Sequence, residues 1–375
     1  MAMNRRDFGK TFGAALGATL VPSVGLPDAL LAQHALRPDG KAIQLDSNEN
    51  PYGPSPAACA AITGSEPVAC RYPDISDEHM VARLSSFYQL PSQQILIGCG
   101  STEILRCADM AFLGAGKGVI ASDPTFEAVL GFAKLMQANP IKVPQTADHR
   151  HDLKAMAAAA NDAKDAAGLV YICNPNNPTG TIVSLDELDA FMKAVPATLP
   201  VLVDEAYFDF VADPGYGTVY PWIARYPNLM VARTFSKVYG MAGMRLGYAL
   251  GSPQNIAAMG TYKLGMNANV AVLQAAMASF GDKAHVADQQ KKMIATREWL
   301  YAELKKDGRE YIPSHGNFVM INLKQDIAPT IVAFRERGIL VGRKFPPMDT
   351  WLRVTVGKPE EMQAFVTGLR QIVAT

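Results

Sequence analysis

Several apolar runs in this chain end in clusters of reactive side chains. Leu229–Ala232 leads into Arg233-Thr234-Phe235-Ser236-Lys237, with Gly240, Gly243 and Arg245 close behind. An amine such as Lys237 can bond an aldehyde, while Thr234, Ser236 and the two-pronged guanidinium of Arg245 can hold a phosphate dianion. Val201–Val203 leads into Asp204-Glu205-Ala206-Tyr207. A carboxylate closing an apolar strand is costly unless a cation pairs with it. Leu169–Cys173 leads into Asn174-Pro175-Asn176-Asn177-Pro178-Thr179-Gly180, a turn stiffened by prolines that presents Asn177. Ile95–Ile97 leads into Gly98-Cys99-Gly100-Ser101-Thr102-Glu103 and a helical pattern. Its glycines admit an anion close to the backbone, and the helix start offers free N–H groups and a positive dipole end. Glu103 opposes an anion there unless it turns away to cap the helix. Each cluster alone has a plainer explanation: a capped helix, a rigid turn, a surface carboxylate, a surface lysine.

Together they comprise an anion cup, a buried carboxylate, an amide, a phenol and an amine. That set fits pyridoxal 5'-phosphate. Its aldehyde needs an amine, and its pyridine nitrogen needs a carboxylate that keeps it protonated and electron-withdrawing. Its phenolic oxygen needs donors, and its phosphate needs the cup.

Past residue 40, short apolar runs alternate with helical patterns such as Glu103–Phe112 and Leu185–Val195. Candidate strands are Ile95–Ile97, Gly118–Ala121, Ile141–Val143, Leu169–Cys173, Val201–Val203, Leu229–Ala232 and Arg245–Leu250. Several are unbroken Val/Ile/Leu runs, which predicts a mostly parallel sheet buried on both faces in an α/β domain. In such sheets ligands bind at the carboxyl ends of the strands. From about residue 254 the pattern changes to long helical segments over Gln254–Phe280 and Ala284–Lys306. Strands at Phe318–Leu323, Ile339–Val341 and Leu352–Val356 and helices at Ala328–Gly338 and Pro359–Val373 then predict a smaller α+β domain.

A chain of 375 residues suits a large domain plus a smaller one. Apolar residues make up 49% and charged residues 19%, and the net charge is zero, so neither nucleic acid nor a membrane surface is an expected partner. Five cysteines without paired or metal-ligand spacing read as mostly buried free thiols, with no metal expected. Residues 4 to 10 read Asn-Arg-Arg-Asp-Phe-Gly-Lys and precede the mildly apolar Thr11–Leu26 stretch. This start resembles a twin-arginine export signal, which implies a periplasmic enzyme with no membrane anchor.

In order and spacing, the motifs resemble those of the class I and II aminotransferases, most nearly the histidinol-phosphate aminotransferases. The resemblance rests on Asn48-Glu49-Asn50-Pro51-Tyr52-Gly53-Pro54, Arg71-Tyr72-Pro73, the Asn174–Gly180 turn, Asp204-Glu205-Ala206-Tyr207 and Ser236-Lys237. It implies the aminotransferase fold of type I, with a mostly parallel seven-stranded sheet. The implied division is an export signal over 1–35, an arm over 36–70 shared with the small domain, a cofactor domain over 71–253, and linking helices with the small domain over 254–375. By this resemblance Lys237, Asp204 and Tyr207 are catalytic. Lys237 holds the cofactor and shuttles a proton, Asp204 pairs with the pyridinium, and Asn177 and Tyr207 bond its phenolic oxygen. Gly100, Ser101, Thr102, Thr234, Ser236 and Arg245 hold the phosphate, and Phe126 stacks on the ring. Tyr72 reaches the phosphate of a neighbouring subunit, which implies a homodimer with shared sites. Arg353 grips the substrate's acidic group, with Arg343 as the other candidate anchor, and Tyr52 and Asn177 border the substrate.

Relatives that take histidinol phosphate usually carry an Arg directly after the Gly-Ile-Ile-Val run. Here Gly342 follows Val341, and Arg343 comes one place late. On a strand that shift turns the side chain to the opposite face. The implied reaction is ping-pong transamination between an amino donor, or an amine like histidinol phosphate, and a 2-oxo acid. Decarboxylation, racemisation or carbon–sulfur lysis would use the same cofactor residues. A non-catalytic cofactor-binding regulator would need a DNA-binding domain for which this chain has no room.

Overall fold

A computed structural model describes residues 42–373. The export-type segment over 1–35 lies outside the described residues. The central sheet has seven strands: β2 (Ile95–Gly98), β3 (Gly118–Asp123), β4 (Ile141–Pro144), β5 (Ala167–Cys173), β6 (Val201–Asp204), β7 (Leu229–Thr234) and β8 (Gly247–Gly251). Their order is β2-β8-β7-β6-β5-β3-β4. β8 alone runs antiparallel to its neighbours β2 and β7, and the remaining pairs are parallel. Every residue of β2, β5, β6 and β8 is buried. These strands lie between layers of helices, which is why unbroken apolar runs form them.

Two small sheets lie outside it. β1 (Ile43–Leu45) pairs in parallel with β11 (Ile339–Val341). β9 (Tyr311–Ile312), β10 (Phe318–Asn322) and β12 (Trp351–Thr355) form an antiparallel set with β10 at the centre. The Leu185–Ala194 helix opens on a capping box in which the Ser184 hydroxyl and the Glu187 carboxylate each accept from the other's backbone N–H.

The structure corrects three expectations. The helix expected over Gln254–Phe280 is two helices, Pro253–Gly260 and Val270–Ser279. Asn269 caps the second by accepting from Val272 N–H at 2.8 Å, and the intervening loop is held elsewhere by Glu103, as described below. The strand expected from Arg245 starts at Gly247, because Arg245 has a left-handed φ of 67° that a strand cannot contain. The cysteines are all free, yet only Cys107 and Cys173 are buried; Cys59 and Cys70 are exposed and Cys99 is half-buried.

Candidate active site

The carboxyl ends of the parallel strands and the amino end of the reversed β8 deliver the reactive residues to one edge of the sheet. The Gly100–Phe112 helix begins just past β2. Gly100 has φ 74°, and a Cβ there would collide with the Arg245 guanidinium; a Cβ on Gly247 would run into the Ser101 backbone nitrogen. Glycine is needed at both positions for this close approach. Glu103 does turn away from the cup. Its Oε2 accepts from Cys99 N–H at 2.6 Å, and its carboxylate accepts from Asn267 Nδ2 at 2.6 Å and Leu264 N–H at 3.2 Å. The first-turn N–H groups of Gly100, Ser101 and Thr102 lie beyond the reach of any helical carbonyl. Opposite them, the Thr234 hydroxyl donates to Ser236 Oγ at 3.0 Å, and Arg245 Nη1 lies 3.4 Å from that same oxygen.

Lys237 is half-buried; its amine donates to the Asn48 carbonyl at 3.0 Å and lies 5.3 Å from the centre of the Tyr207 ring. Burial first, and then the Arg353 guanidinium, push it down to about 8, against a smaller upward pull from Glu49. Part of the amine is therefore neutral near physiological pH, as a nucleophile must be. The Asp204 carboxylate closes β6, with Oδ1 accepting from Ala206 N–H at 3.1 Å and Oδ2 from the Tyr171 hydroxyl at 2.9 Å. Burial raises it to about 6 in spite of those bonds. Tyr207 is buried edge-on against Phe318, and its hydroxyl accepts from Asn48 Nδ2 at 3.0 Å. Burial holds that phenol above its ordinary range.

Arg353 sits on β12, the outer strand of its sheet, yet is only 7% exposed. Nη1 donates to Asn177 Oδ1 at 2.7 Å and Nη2 to the Asp46 carbonyl at 2.5 Å. Nε is buried without a partner among the described residues. Phe126 is half-buried where β3 leads into the Glu127–Leu135 helix. Tyr52 is half-buried, with the Lys292 amine 5.0 Å from its ring centre. Arg343 faces Glu127, at 2.5 and 3.1 Å, and stacks on Phe345 at 4.2 Å. It makes no bond to Asn177, the partner of Arg353. Tyr72 is 80% exposed.

The family model for aminotransferases of class I and II matches residues 40–369. The chain belongs to the class I and II aminotransferases. The histidinol-phosphate aminotransferase of Moorella thermoacetica is 36% identical over 335 residues, covering 88% of this chain and 86% of that protein. Histidinol-phosphate aminotransferase 2 of Ralstonia nicotianae is 35% identical over 371 residues, covering 97% of each chain. The crystal structure of the histidinol-phosphate aminotransferase of Sinorhizobium meliloti, in complex with pyridoxal 5'-phosphate, matches with a TM-score of 0.84. It is 26% identical and covers 94% of this chain and 95% of that one.

Three residues of this aminotransferase's site carried no expected role. Tyr171 lies inside an apolar strand, where an aromatic reads as core; its hydroxyl was the available signal. Asn48 has φ 54° and bonds Tyr207 and Thr355. Asn317 donates to the carbonyls of Asn48 and Glu49 at 3.0 and 3.1 Å, fixing the carbonyl that Lys237 meets.

Proposed function

We propose that this aminotransferase moves an amino group between an amino acid and a 2-oxo acid, in two half-reactions, with pyridoxal 5'-phosphate as its cofactor. The observation that carries the reading is the gathering of the half-buried Lys237 amine, the buried Asp204 carboxylate and the Arg353–Asn177 pair at one sheet edge. The residues fit the cofactor. Cβ atoms at Gly100 and Gly247 would fill the phosphate cradle, and Asp204 is a buried carboxylate with no ion-pair partner among the described residues. When bound, the cofactor supplies an aldehyde for amine exchange and a protonated ring that withdraws electrons from the substrate carbon.

The chain's own residues do the rest. Lys237 would hold the cofactor through its amine and, once free, would carry the proton at the substrate carbon. Asp204 pairs with the pyridine nitrogen and keeps its proton in place. Asn177 and Tyr207 bond the phenolic oxygen, and Phe126 stacks on the ring. Gly100, Ser101, Thr102, Thr234, Ser236 and Arg245 hold the phosphate. Arg353 offers its unpartnered Nε edge to the substrate's carboxylate, and Tyr52 borders the substrate. A phosphorylated amine of the histidinol phosphate type is the second reading, supported by the names of the relatives. Against it, Arg343 pairs with the Glu127 carboxylate, which would compete with a phosphate for that guanidinium.

A second copy of this chain covers the exposed Tyr72, Ile75, Tyr262, Leu264 and Met266, and Tyr72 reaches the partner's phosphate cup. The Arg5-Arg6 segment directs export to the periplasm. Fractionating cells that carry the wild type and an Arg5→Lys/Arg6→Lys variant tests this; equal periplasmic amounts would refute it.

The visible absorption spectrum of the purified protein, recorded before and after adding a panel of amino acids and histidinol phosphate, tests the central reading. The expected result is a cofactor band that needs Lys237 and that one donor converts, with release of an oxo product. Absence of that band after supplying the cofactor would overturn it.

A further inference from the structure

The Asp204 carboxylate is braced from the neighbouring strand. Tyr171 pairs with Leu202 in the β5–β6 ladder, two residues before Asp204, so the three side chains share one face of the sheet. From there the long phenol reaches its diagonal neighbour, and its hydroxyl donates to Asp204 Oδ2 at 2.9 Å. Tyr171 is fully buried, within an apolar cluster that also contains Leu202, Leu105 and Ala108. Phenylalanine would fill that space equally well, so packing does not account for the hydroxyl.

We infer that Tyr171 is a positioning residue, whose hydroxyl fixes the Asp204 carboxylate in place and keeps it charged for the cofactor's pyridine nitrogen. The inference rests on the cofactor reading above. Tyr171 and Cys173 face Asp204 from β5, Lys237 from the segment after β7, and Glu205 and Tyr207 from its own loop. Burial pushes both the Tyr171 phenol and the Cys173 thiol well up, so both stay neutral and neither repels the carboxylate. Lys237 pulls Asp204 down and Glu205 pushes it up. Of these groups, Tyr171 is the one that donates to Oδ2.

The test is Tyr171→Phe in the holoenzyme, with cofactor carrying ¹⁵N at the ring. Tyr248→Phe serves as control, because it removes another buried phenol contact, the 2.6 Å one to Tyr88. In Tyr171→Phe, cofactor dissociation is expected to rise about tenfold, as for loss of a hydrogen bond to a charged group. The ring-nitrogen resonance should report loss of its proton at lower pH, and kcat should fall with the amino donor's KM unchanged. Tyr248→Phe should leave all three as in the wild type. A Tyr171→Phe protein with wild-type cofactor affinity and ring-nitrogen titration would overturn the inference, as would equal changes in both variants. A wild type that binds no cofactor would instead overturn the reading on which the inference rests.

Discussion

Burial pushes the Lys237 amine down to about 8 and the Asp204 carboxyl up to about 6. The amine is therefore neutral above the first value and the carboxylate charged above the second. In the cofactor-free protein, labelling of Lys237 by an amine reagent should rise through about pH 8 rather than near the ordinary lysine value. Mass spectrometry of the labelled peptide across pH checks this. Cofactor affinity should fall as pH drops through about 6, because Asp204 takes up a proton and loses the charge that pairs with the ring. Asp204→Asn should flatten that dependence and lower kcat by roughly a hundredfold or more, the scale for removing one preorganised electrostatic partner. Arg353→Ala should raise the substrate's KM, costing about 2–5 kcal/mol, because the bound carboxylate is left buried and unpaired. Lysine there should recover only part, since it lacks the planar fork that meets both Asn177 and the Asp46 carbonyl. If every acidic substrate kept its KM in Arg353→Ala, the anchor would lie elsewhere.

Elements hold these residues by close approach as much as by bonds. Gly100→Ala would force a left-handed backbone on a residue with a side chain and drive its Cβ into Arg245. We expect a loss of about 1–3 kcal/mol of stability and weaker cofactor binding, read by thermal unfolding and by titration. The strands of the central sheet were legible because burial on both faces selects unbroken apolar runs, and such runs end where the chemistry begins. β1 and β9 were not, since three and two residues carry no periodicity. Nor could composition reveal that β8 runs against its neighbours, which brings Arg245 to the same edge as Lys237. The break in the 254–280 helix was signalled by Gly265, Asn267 and Asn269, but the loop's path depends on Glu103, far away in sequence. Among site residues, those in polar clusters at strand ends could be read. Tyr171 could not, because its role depends on strand register. The destination of Arg343 also depends on a distant partner, Glu127, 216 positions away.

On the scale of the whole molecule, exposed apolar residues gather on two segments that the Lys263–Asp77 ion pair joins at 3.4 Å. If a second copy covers this surface as proposed, replacing Ile75 and Leu264 together by Glu should give a monomer by sedimentation, with turnover lost as Tyr72 is withdrawn from the partner's cup. The segment bearing Leu264 and Met266 is also the one that Glu103 grips, and Glu103 belongs to the first turn of the helix proposed to cradle the phosphate. One carboxylate thus ties the exposed segment over 264–266, proposed to meet a second copy, to the helix start proposed to hold the phosphate. In the proposed dimer, loading and pairing would be linked equilibria, each altering the other by an equal free energy. Dilution should loosen the cofactor, and saturating cofactor should hold the dimer together at lower protein concentration.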